Sequence, residues 1–166
     1  METDSIKKFI LRLPFFKVFN DNELNKLVGR DKVFKDCAQG GYVFKEGDPG
    51  TSLFVLLFGE IDLVKKGEDG TESIILQLKT GALFGEVAML TGNNRNLDAR
   101  AASKKVVVME FTRKFIEKMI PSIQNKFQKQ LLFIIAKNLD TMNVRYAKLE
   151  SSIEVREKLA EGGAIK

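Results

Sequence analysis

Residues 84–95 read Phe-Gly-Glu-Val-Ala-Met-Leu-Thr-Gly-Asn-Asn-Arg, and the organisation of the chain is inferred outward from this stretch. Gly85 has no Cβ and therefore lets the backbone approach a bound group closely. The run from Glu86 to Leu90 favours one or two turns of helix, whose first N–H groups lack intrahelical partners and suit a phosphate. Arg95 lies nine residues after Glu86 and supplies a planar, permanently charged donor for phosphate oxygens.

Glu86 is the most informative residue of the stretch. A carboxylate beside a phosphate repels it, unless the carboxylate accepts a hydrogen bond from a neighbouring hydroxyl such as a ribose 2′-OH. A loop that suits both a phosphate and a ribose hydroxyl describes a site for a cyclic nucleotide. Each residue alone has a simpler interpretation: Glu86 as favourable charge in a first helical turn, and Arg95 as a surface arginine or the ion-pair partner of Glu86.

The stretch resembles the phosphate-binding cassette of cyclic-nucleotide-binding domains, a family that includes the catabolite activator protein and the regulatory subunits of protein kinase A. That cassette reads Phe-Gly-Glu-x-Ala-Leu, then a short run, then an arginine followed by two small residues. The matching residues here are Phe84, Gly85, Glu86, Ala88 and Arg95. The segment 44–56, with its Gly-Asp turn, also resembles the family, and the resemblance covers about residues 20–145.

The resemblance implies that cAMP or cGMP is the ligand, with no other cofactor and no metal. Arg95 and the backbone of Gly85–Ala88 are expected to hold the phosphate, and Glu86 the ribose. The implied ligand-binding residues are Phe84, Gly85, Glu86, Val87, Ala88, Arg95, Asn96 and Leu97. Asn96 and Leu97 depart from the small residues usual in the family, so the choice of base stays open.

Short apolar runs separated by glycine turns fill the middle of the chain and predict β-strands. The predicted strands are 32–35, 42–44, 53–58, 61–65, 73–78, about 97–103 and 106–111. Short strands at such regular spacing predict an antiparallel β jelly roll over residues 31–111, with the binding loop at 84–97. The apolar strand residues are expected mainly in the core, among them Val55, Leu57, Ile61, Leu63, Ile75 and Leu76.

Helices are predicted on both sides of the roll, which makes the fold class α+β. In the N-terminal helical segment 1–30, a helix over 3–13 ends before Pro14. A second helix runs to Val28, with Asp21 or Asn22 as its N-cap and Gly29 closing it; these are the start and stop signals of a short helix. After the roll, the segment 112–153 predicts a hinge helix followed by a long C-terminal helix that begins at Pro121. Residues 154–166 are expected to form a tail that frays at 161–164.

The long helix carries an apolar seam with alternating spacings of four and three, typical of a coiled coil. Its members are Ile135, Leu139, Met142, Tyr146, Leu149 and Ile153. Two interpretations compete: the seam docks on the chain's own barrel, or it pairs in parallel with the same helix of a second subunit. The homodimer is favoured, because Leu131 and Ile134 offer a separate place for barrel contacts.

Composition excludes several classes of function. The chain of 166 residues has a net charge of +5, 44% hydrophobic residues, no histidine and one cysteine. Without histidine, histidine-based catalysis and His-containing metal sites are excluded, and no enzymatic activity is expected. The single Cys37 excludes an internal disulfide and favours a cytoplasmic location, where it is expected to be a small buried hydrophobic residue. No apolar run approaches the ~20 residues that span a membrane.

Three hypotheses follow for the function. The first is a non-enzymatic cyclic-nucleotide sensor, in which ligand capture shifts the helices after the barrel. The alternative is a structural dimerisation domain of the same fold with a degenerate, non-binding pocket. The third is a transcription factor with a helix-turn-helix domain after the long helix. Only about 17 residues follow Leu149, so we expect no DNA binding by this chain alone.

Overall fold

The computed structural model describes residues 2–29 and 33–162, and its centre is a pair of four-stranded antiparallel sheets. The strands are β1 (Phe34–Ala38), β2 (Tyr42–Phe44), β3 (Ser52–Phe58), β4 (Glu60–Lys66), β5 (Glu72–Lys79), β6 (Leu83–Phe84), β7 (Asp98–Ala101) and β8 (Lys105–Thr112). One sheet has the order β1-β8-β3-β6 and the other β2-β7-β4-β5. The jelly roll is confirmed, with the short strand β6 not foreseen. Lys32, the predicted start of the first strand, lies outside the described residues.

The core lies between the two sheets and is built from alternate residues of each strand, since successive strand side chains point to opposite faces. The first sheet contributes Phe54, Leu56, Val106 and Val108, and the second contributes Ile61, Leu78, Ala99 and Ala101. Cys37 is half-buried against this cluster, and burial raises the pKa of its thiol.

The opposite face of the first sheet is covered by phenylalanines from the flanking helices. Phe111 of β8 is fully buried, and its ring centroid lies 5.1 Å from Phe127 and about 6 Å from Phe15 and Phe16. Strand β3 is therefore covered on both faces, and six of its seven residues are buried. Val55 and Leu57 belong to the core as expected.

The N-terminal helices form as expected, with one correction at a cap. The elements are α1 (Glu2–Arg12), a 3-10 turn at Pro14–Phe16 and α2 (Asp21–Val28). Asn20, rather than Asp21 or Asn22, caps α2: its Oδ1 accepts from the backbone N of Glu23, whose carboxylate accepts from the backbone N of Asn20. This capping box satisfies two backbone donors reciprocally, which places the helix start one residue earlier than expected.

The assignment of Ile75 and Leu76 to the core was wrong. Their exposed fractions are 58% and 38%, and in β5 only Leu78 is buried. Strand β5 is an edge strand that pairs with β4 alone. An apolar run at an edge has no sheet neighbour on its outer side, so composition alone does not place it inside. Leu63, also expected in the core, is half-buried and packs against the cluster.

The remaining helices are α3 (Glu86–Thr91), α4 (Arg113–Glu117) and α5 (Pro121–Gly162). Helix α5 starts at Pro121 as predicted and continues to Gly162, beyond the expected boundary at 153, while residues 163–166 lie outside the described part. The chain divides into two compact units, Met1–Phe127 and Gln128–Lys166. Within the described residues, no helix combines the length and apolarity needed to cross a bilayer.

Candidate functional site

Helix α3 and the loop around it form the candidate site in the first unit. Gly85 precedes α3 with φ +75°, a left-handed conformation that L side chains rarely adopt. Gly92 closes α3, and its N–H donates to the carbonyl of Ala88 at 3.0 Å. The predicted glycine-opened helical turn is therefore present, and two glycines fix its ends.

Arg95 lies inside the protein, with only 4% of its surface exposed. Its Nη1 donates to the carbonyl of Gly85 at 2.5 Å, and its Nη2 donates to the carbonyl of Ser52 at 2.6 Å. Its Nε has no hydrogen-bond acceptor within residues 2–29 and 33–162. The interpretation of Arg95 as a surface arginine is therefore wrong.

Phenylalanine rings hold the guanidinium in place. Its central carbon lies 4.3 Å from the ring centroid of Phe44 and 5.7 Å from that of Phe54. Phe84, a predicted site residue, is buried and stacks on Phe54 with centroids 5.4 Å apart. Such contacts attract a cation to the ring face, so the three phenylalanines form an aromatic wall beside Arg95.

The backbone of Arg95 is held by the Gly-Asp turn near residue 48. The N–H of Gly47 donates to the carbonyl of Arg95, and the N–H of Arg95 donates to the carbonyl of Asp48, both at 2.8 Å. Pro49 and Asn94 extend this pairing as a β-bridge. The sequence indicated the turn but gave it no role, and it assigned neither Ser52 nor Phe44 to the site. The position of the turn in the resembling segment 44–56 was the available signal.

Burial sets the electrostatics of the two charged site residues. Desolvation lowers the pKa of Arg95, opposed by the charges of Glu110, Asp48 and Glu86. Desolvation raises the pKa of the half-buried Glu86, while a backbone hydrogen bond and the charge of Arg95 act in the opposite direction. The charge of Arg95 therefore acts on the pKa of Glu86, but in the described part of the chain no ion pair joins the two side chains.

The other predicted residues lie around this centre. Ala88 is buried at 7% exposure and packs against Gly50, where a Cβ would come within 2.5 Å of the Ala88 side chain. Val87 is exposed on α3. Asn96 is exposed and its carbonyl accepts from Lys65 Nζ at 3.2 Å, while Leu97 is half-buried. The fold therefore brings Gly85, Ala88 and Arg95 together with Glu86 and leaves the Val87 and Asn96 side chains outside.

The end of the loop is fixed to the second sheet by charge. Asp98 is 2% exposed; its Oδ1 accepts from the backbone N of Glu46 at 2.7 Å, and its Oδ2 lies 3.3 Å from Lys66 Nζ. The hydrogen bond of Lys66 to Asp98 raises the pKa of the lysine. These contacts fix the backbone just after Arg95. The arginine side chain therefore extends into the roll from a backbone that is held in place.

The roll and this loop define a class of protein: a jelly-roll domain with a candidate anion site in the segment between β6 and β7. Residues 34–122 match the family model described as a cyclic nucleotide-binding domain, and the chain belongs to that family.

Two regulatory proteins are similar to part of this chain. The chain is 25% identical over 114 residues to a CRP-like cAMP-activated global transcriptional regulator of Mycobacterium tuberculosis, covering 69% of this chain and 50% of the regulator. It is 31% identical over 117 residues to a cAMP-dependent protein kinase regulatory subunit of Emericella nidulans, covering 70% of this chain and 27% of the subunit. It thus spans half the length of the bacterial regulator and less of the fungal subunit.

A solved structure agrees with the fold. A cyclic nucleotide-binding domain from Methylobacillus flagellatus superposes with a TM-score of 0.69 at 22% identity, over 85% of this chain and 83% of that one. The jelly roll with N-terminal helices and a long C-terminal helix is therefore the fold of this family.

Proposed function

We propose that this chain is a non-enzymatic sensor that binds cAMP or cGMP in the loop between β6 and β7. Arg95 and the backbone of Gly85–Ala88 hold the cyclic phosphate, and Glu86 accepts a hydrogen bond from the ribose 2′-OH. The observation that carries this proposal is the buried guanidinium of Arg95, whose Nε has no acceptor in the described chain.

A buried charge is costly unless it is paired and hydrogen-bonded. Within the described residues, no carboxylate lies within ion-pair distance of Arg95. The carboxylate of Glu110, whose charge acts on Arg95, instead pairs with Lys35 at 2.8 Å. Two backbone carbonyls supply dipoles to the guanidinium but no negative charge. A phosphate anion completes this arrangement with a charge-assisted hydrogen bond.

The environment of Glu86 supports the ribose role. Desolvation raises the pKa of its carboxyl group, so the ionised form gains from any hydroxyl that donates to it. A ribose hydroxyl beside a phosphate held by Arg95 is such a donor. Val87 and Asn96, which expose their side chains, are assigned to the site through their backbone groups.

The alternative of a structural domain with a degenerate pocket rests on a specific observation as well. Arg95 already donates to the carbonyls of Gly85 and Ser52, and these bonds stabilise the loop without any ligand. In this alternative, Arg95 stabilises the fold and binds no ligand.

A calorimetric titration separates the two. We expect cAMP or cGMP to bind and to raise the melting temperature, because a ligand that binds only the folded state stabilises it. Linear 5′-AMP is the control for binding of any nucleotide. Absence of both heat and a melting shift with both cyclic nucleotides would favour the structural alternative.

We further propose that the chain forms a parallel homodimer through α5. The seam side chains Leu139, Met142, Tyr146 and Leu149 are 57–64% exposed on the single chain. Leu132, three residues before Ile135, is 65% exposed and extends the heptad pattern by one position. An apolar seam of this length on one helix is typical of helix pairing.

Charge favours the parallel orientation. With Leu132, Leu139, Tyr146 and Ile153 at position a, Arg145 occupies position g and Glu150 the following position e. In a parallel pair, position g of one helix faces the following position e of its partner. Each Arg145 then meets a Glu150 of the other subunit, twice per dimer.

A further inference from the structure

We propose that Arg113 is a positioning residue that makes helix α4 respond to movement of helix α3, and thereby connects the candidate nucleotide loop to the helices after the roll. The response to nucleotide rests on the proposed function, whereas the mechanical coupling between the two helices does not.

The guanidinium of Arg113 bridges the two helices. Arg113 is the first residue of α4, and its Nη2 donates to the carbonyl of Met89 near the end of α3. The last carbonyls of a helix lack intrahelical partners, and a cation there is favourable. In α3, Gly92 caps the carbonyl of Ala88, and Arg113 caps that of Met89.

Arg95 and Arg113 hold α3 from opposite ends. Arg95 donates to the carbonyl of Gly85, directly before the helix, and Arg113 to that of Met89. Both arginines also bond neighbouring carbonyls at the start of β3: Arg95 Nη2 bonds Ser52, and the backbone N of Arg113 bonds Thr51 at 2.9 Å. A phosphate that recruits Arg95 therefore perturbs a helix whose other end is fixed to α4.

Further contacts continue from α4 within the same compact unit. Gln124 Nε2 of α5 donates to the carbonyl of Ile116 in α4 at 3.0 Å. Lys126 Nζ of α5 lies 2.8 Å from both carboxylate oxygens of Glu23 in α2. These contacts connect α4 to the start of α5, and the start of α5 to α2.

Spatial continuity alone does not demonstrate coupling, so the test measures it directly. Hydrogen exchange of the amides in 113–119 is followed with and without saturating cAMP in the parent chain, R113M, R113K and K114M. Lys114 is the matched control, since it is the adjacent exposed cation of α4. We expect cAMP to change these rates by about 2- to 30-fold in the parent chain and in K114M. In R113M the loop 84–97 still responds and the α4 response is lost, whereas R113K restores part of it.

A second arm needs no ligand. Gly50→Ala places a Cβ 2.5 Å from the Ala88 side chain and from the carbonyl oxygen of Asn93, and therefore displaces α3. We expect G50A to change α4 exchange when Arg113 is present and to leave it unchanged in the G50A/R113M double variant. Thermal melting verifies that each variant is folded. If R113M does not fold, R113K takes its place in the comparison.

The outcomes separate the two proposals. A parent chain that ignores both cyclic nucleotides overturns the nucleotide proposal, while the G50A arm still decides on Arg113. An α4 response to cAMP or to G50A that is equal in R113M and in the parent chain overturns the role of Arg113.

Discussion

The guanidinium of Arg95 contacts the backbone of Gly85 so closely that no room remains for a side chain on Gly85. Arg95 Nη1 donates to the carbonyl of Gly85 at 2.5 Å, and a Cβ on Gly85 would lie 2.8 Å from the same nitrogen. The backbone of Gly85 is also left-handed, with φ +75°. Glycine at position 85 therefore allows the left-handed turn before α3. It also leaves room for the Arg95 side chain to point into the protein.

Gly85→Ala is expected to reduce nucleotide binding as well as stability. The left-handed conformation costs an alanine about 1–2 kcal/mol, and the new Cβ displaces the guanidinium of Arg95. Gly70→Ala is the matched control, because Gly70 has φ +80° and nothing within 4 Å of its Cβ position. Both variants should melt at lower temperature, but only Gly85→Ala should lose affinity in calorimetry. Equal affinities in the two variants would contradict the fit between Gly85 and Arg95.

Arg95→Ala is expected to weaken cAMP or cGMP binding by roughly 2–5 kcal/mol, since it leaves the phosphate without its cationic partner. Arg95→Lys should bind more weakly than the parent chain, because an ammonium lacks the planar fork. Arg100→Ala is the control: this arginine is in β7 and pairs with Glu72 at 2.6 Å. Calorimetry measures all three, and unchanged affinity in Arg95→Ala would remove this residue from the site.

Glu86→Gln is expected to cost about 1–2 kcal/mol of binding, because an amide oxygen still accepts from a ribose hydroxyl but carries no charge. The effect of removing the hydroxyl, measured with 2′-deoxy-cAMP, should therefore be smaller in the variant than in the parent chain. Glu110→Gln is the control, a carboxylate that also acts on Arg95 but pairs with Lys35. An equal loss for the 2′-deoxy nucleotide in parent and Glu86→Gln contradicts the ribose role.

Acid is expected to weaken nucleotide binding through Glu86. Desolvation raises its pKa above the ordinary value of 4.5, and the ribose hydroxyl prefers the ionised carboxylate. Affinity should therefore fall as the pH decreases through the raised pKa, and Glu86→Gln should lack this component. For the free protein the sign is opposite: the folded state holds the proton more tightly, so this group favours folding at low pH and that contribution is lost as the pH rises through the same window. Calorimetry and melting from pH 4.5 upward measure both effects. Affinity with the same pH dependence in the variant rejects the assignment.

Leu139→Glu combined with Leu149→Glu is expected to give monomers, since charges in an apolar seam remain buried and unpaired on association. Val144→Glu is the control, because Val144 is 50% exposed on α5 and lies outside the seam. Light scattering should report a mass of two chains for the parent and for Val144→Glu, and of one chain for the double variant. A double variant that retains a mass of two chains rejects pairing through α5.

Much of the fold followed from local patterns. Alternating apolar residues and glycine turns predicted the strands β2 to β5 nearly at their observed bounds, and Pro121 marked the start of α5. The glycine-opened helix after Phe84 was also predicted. These features depend on neighbours within a few residues, where backbone preferences and side-chain periodicity act directly.

Burial on the sheet edge was beyond local reasoning. Ile75 and Leu76 have the composition of core residues but lie exposed on β5. Whether an apolar strand is covered depends on its place in the sheet, and that place is fixed by pairing between segments distant in sequence. The N-cap of α2 was predicted at Asp21 or Asn22 and lies at Asn20, because each of these neighbouring polar residues is an acceptable N-cap.

The sequence by itself determined a β-roll with flanking helices and a loop whose residue types suit a phosphate and a sugar hydroxyl. Only the tertiary structure decided that Arg95 turns inward onto Phe44 and bonds the carbonyls of Gly85 and Ser52. The reason is distance along the chain: Ser52 is 43 residues from Arg95, and its carbonyl comes within reach of the guanidinium only in the folded roll. Backbone acceptors of this kind have no signature in residue type, because every residue carries a carbonyl.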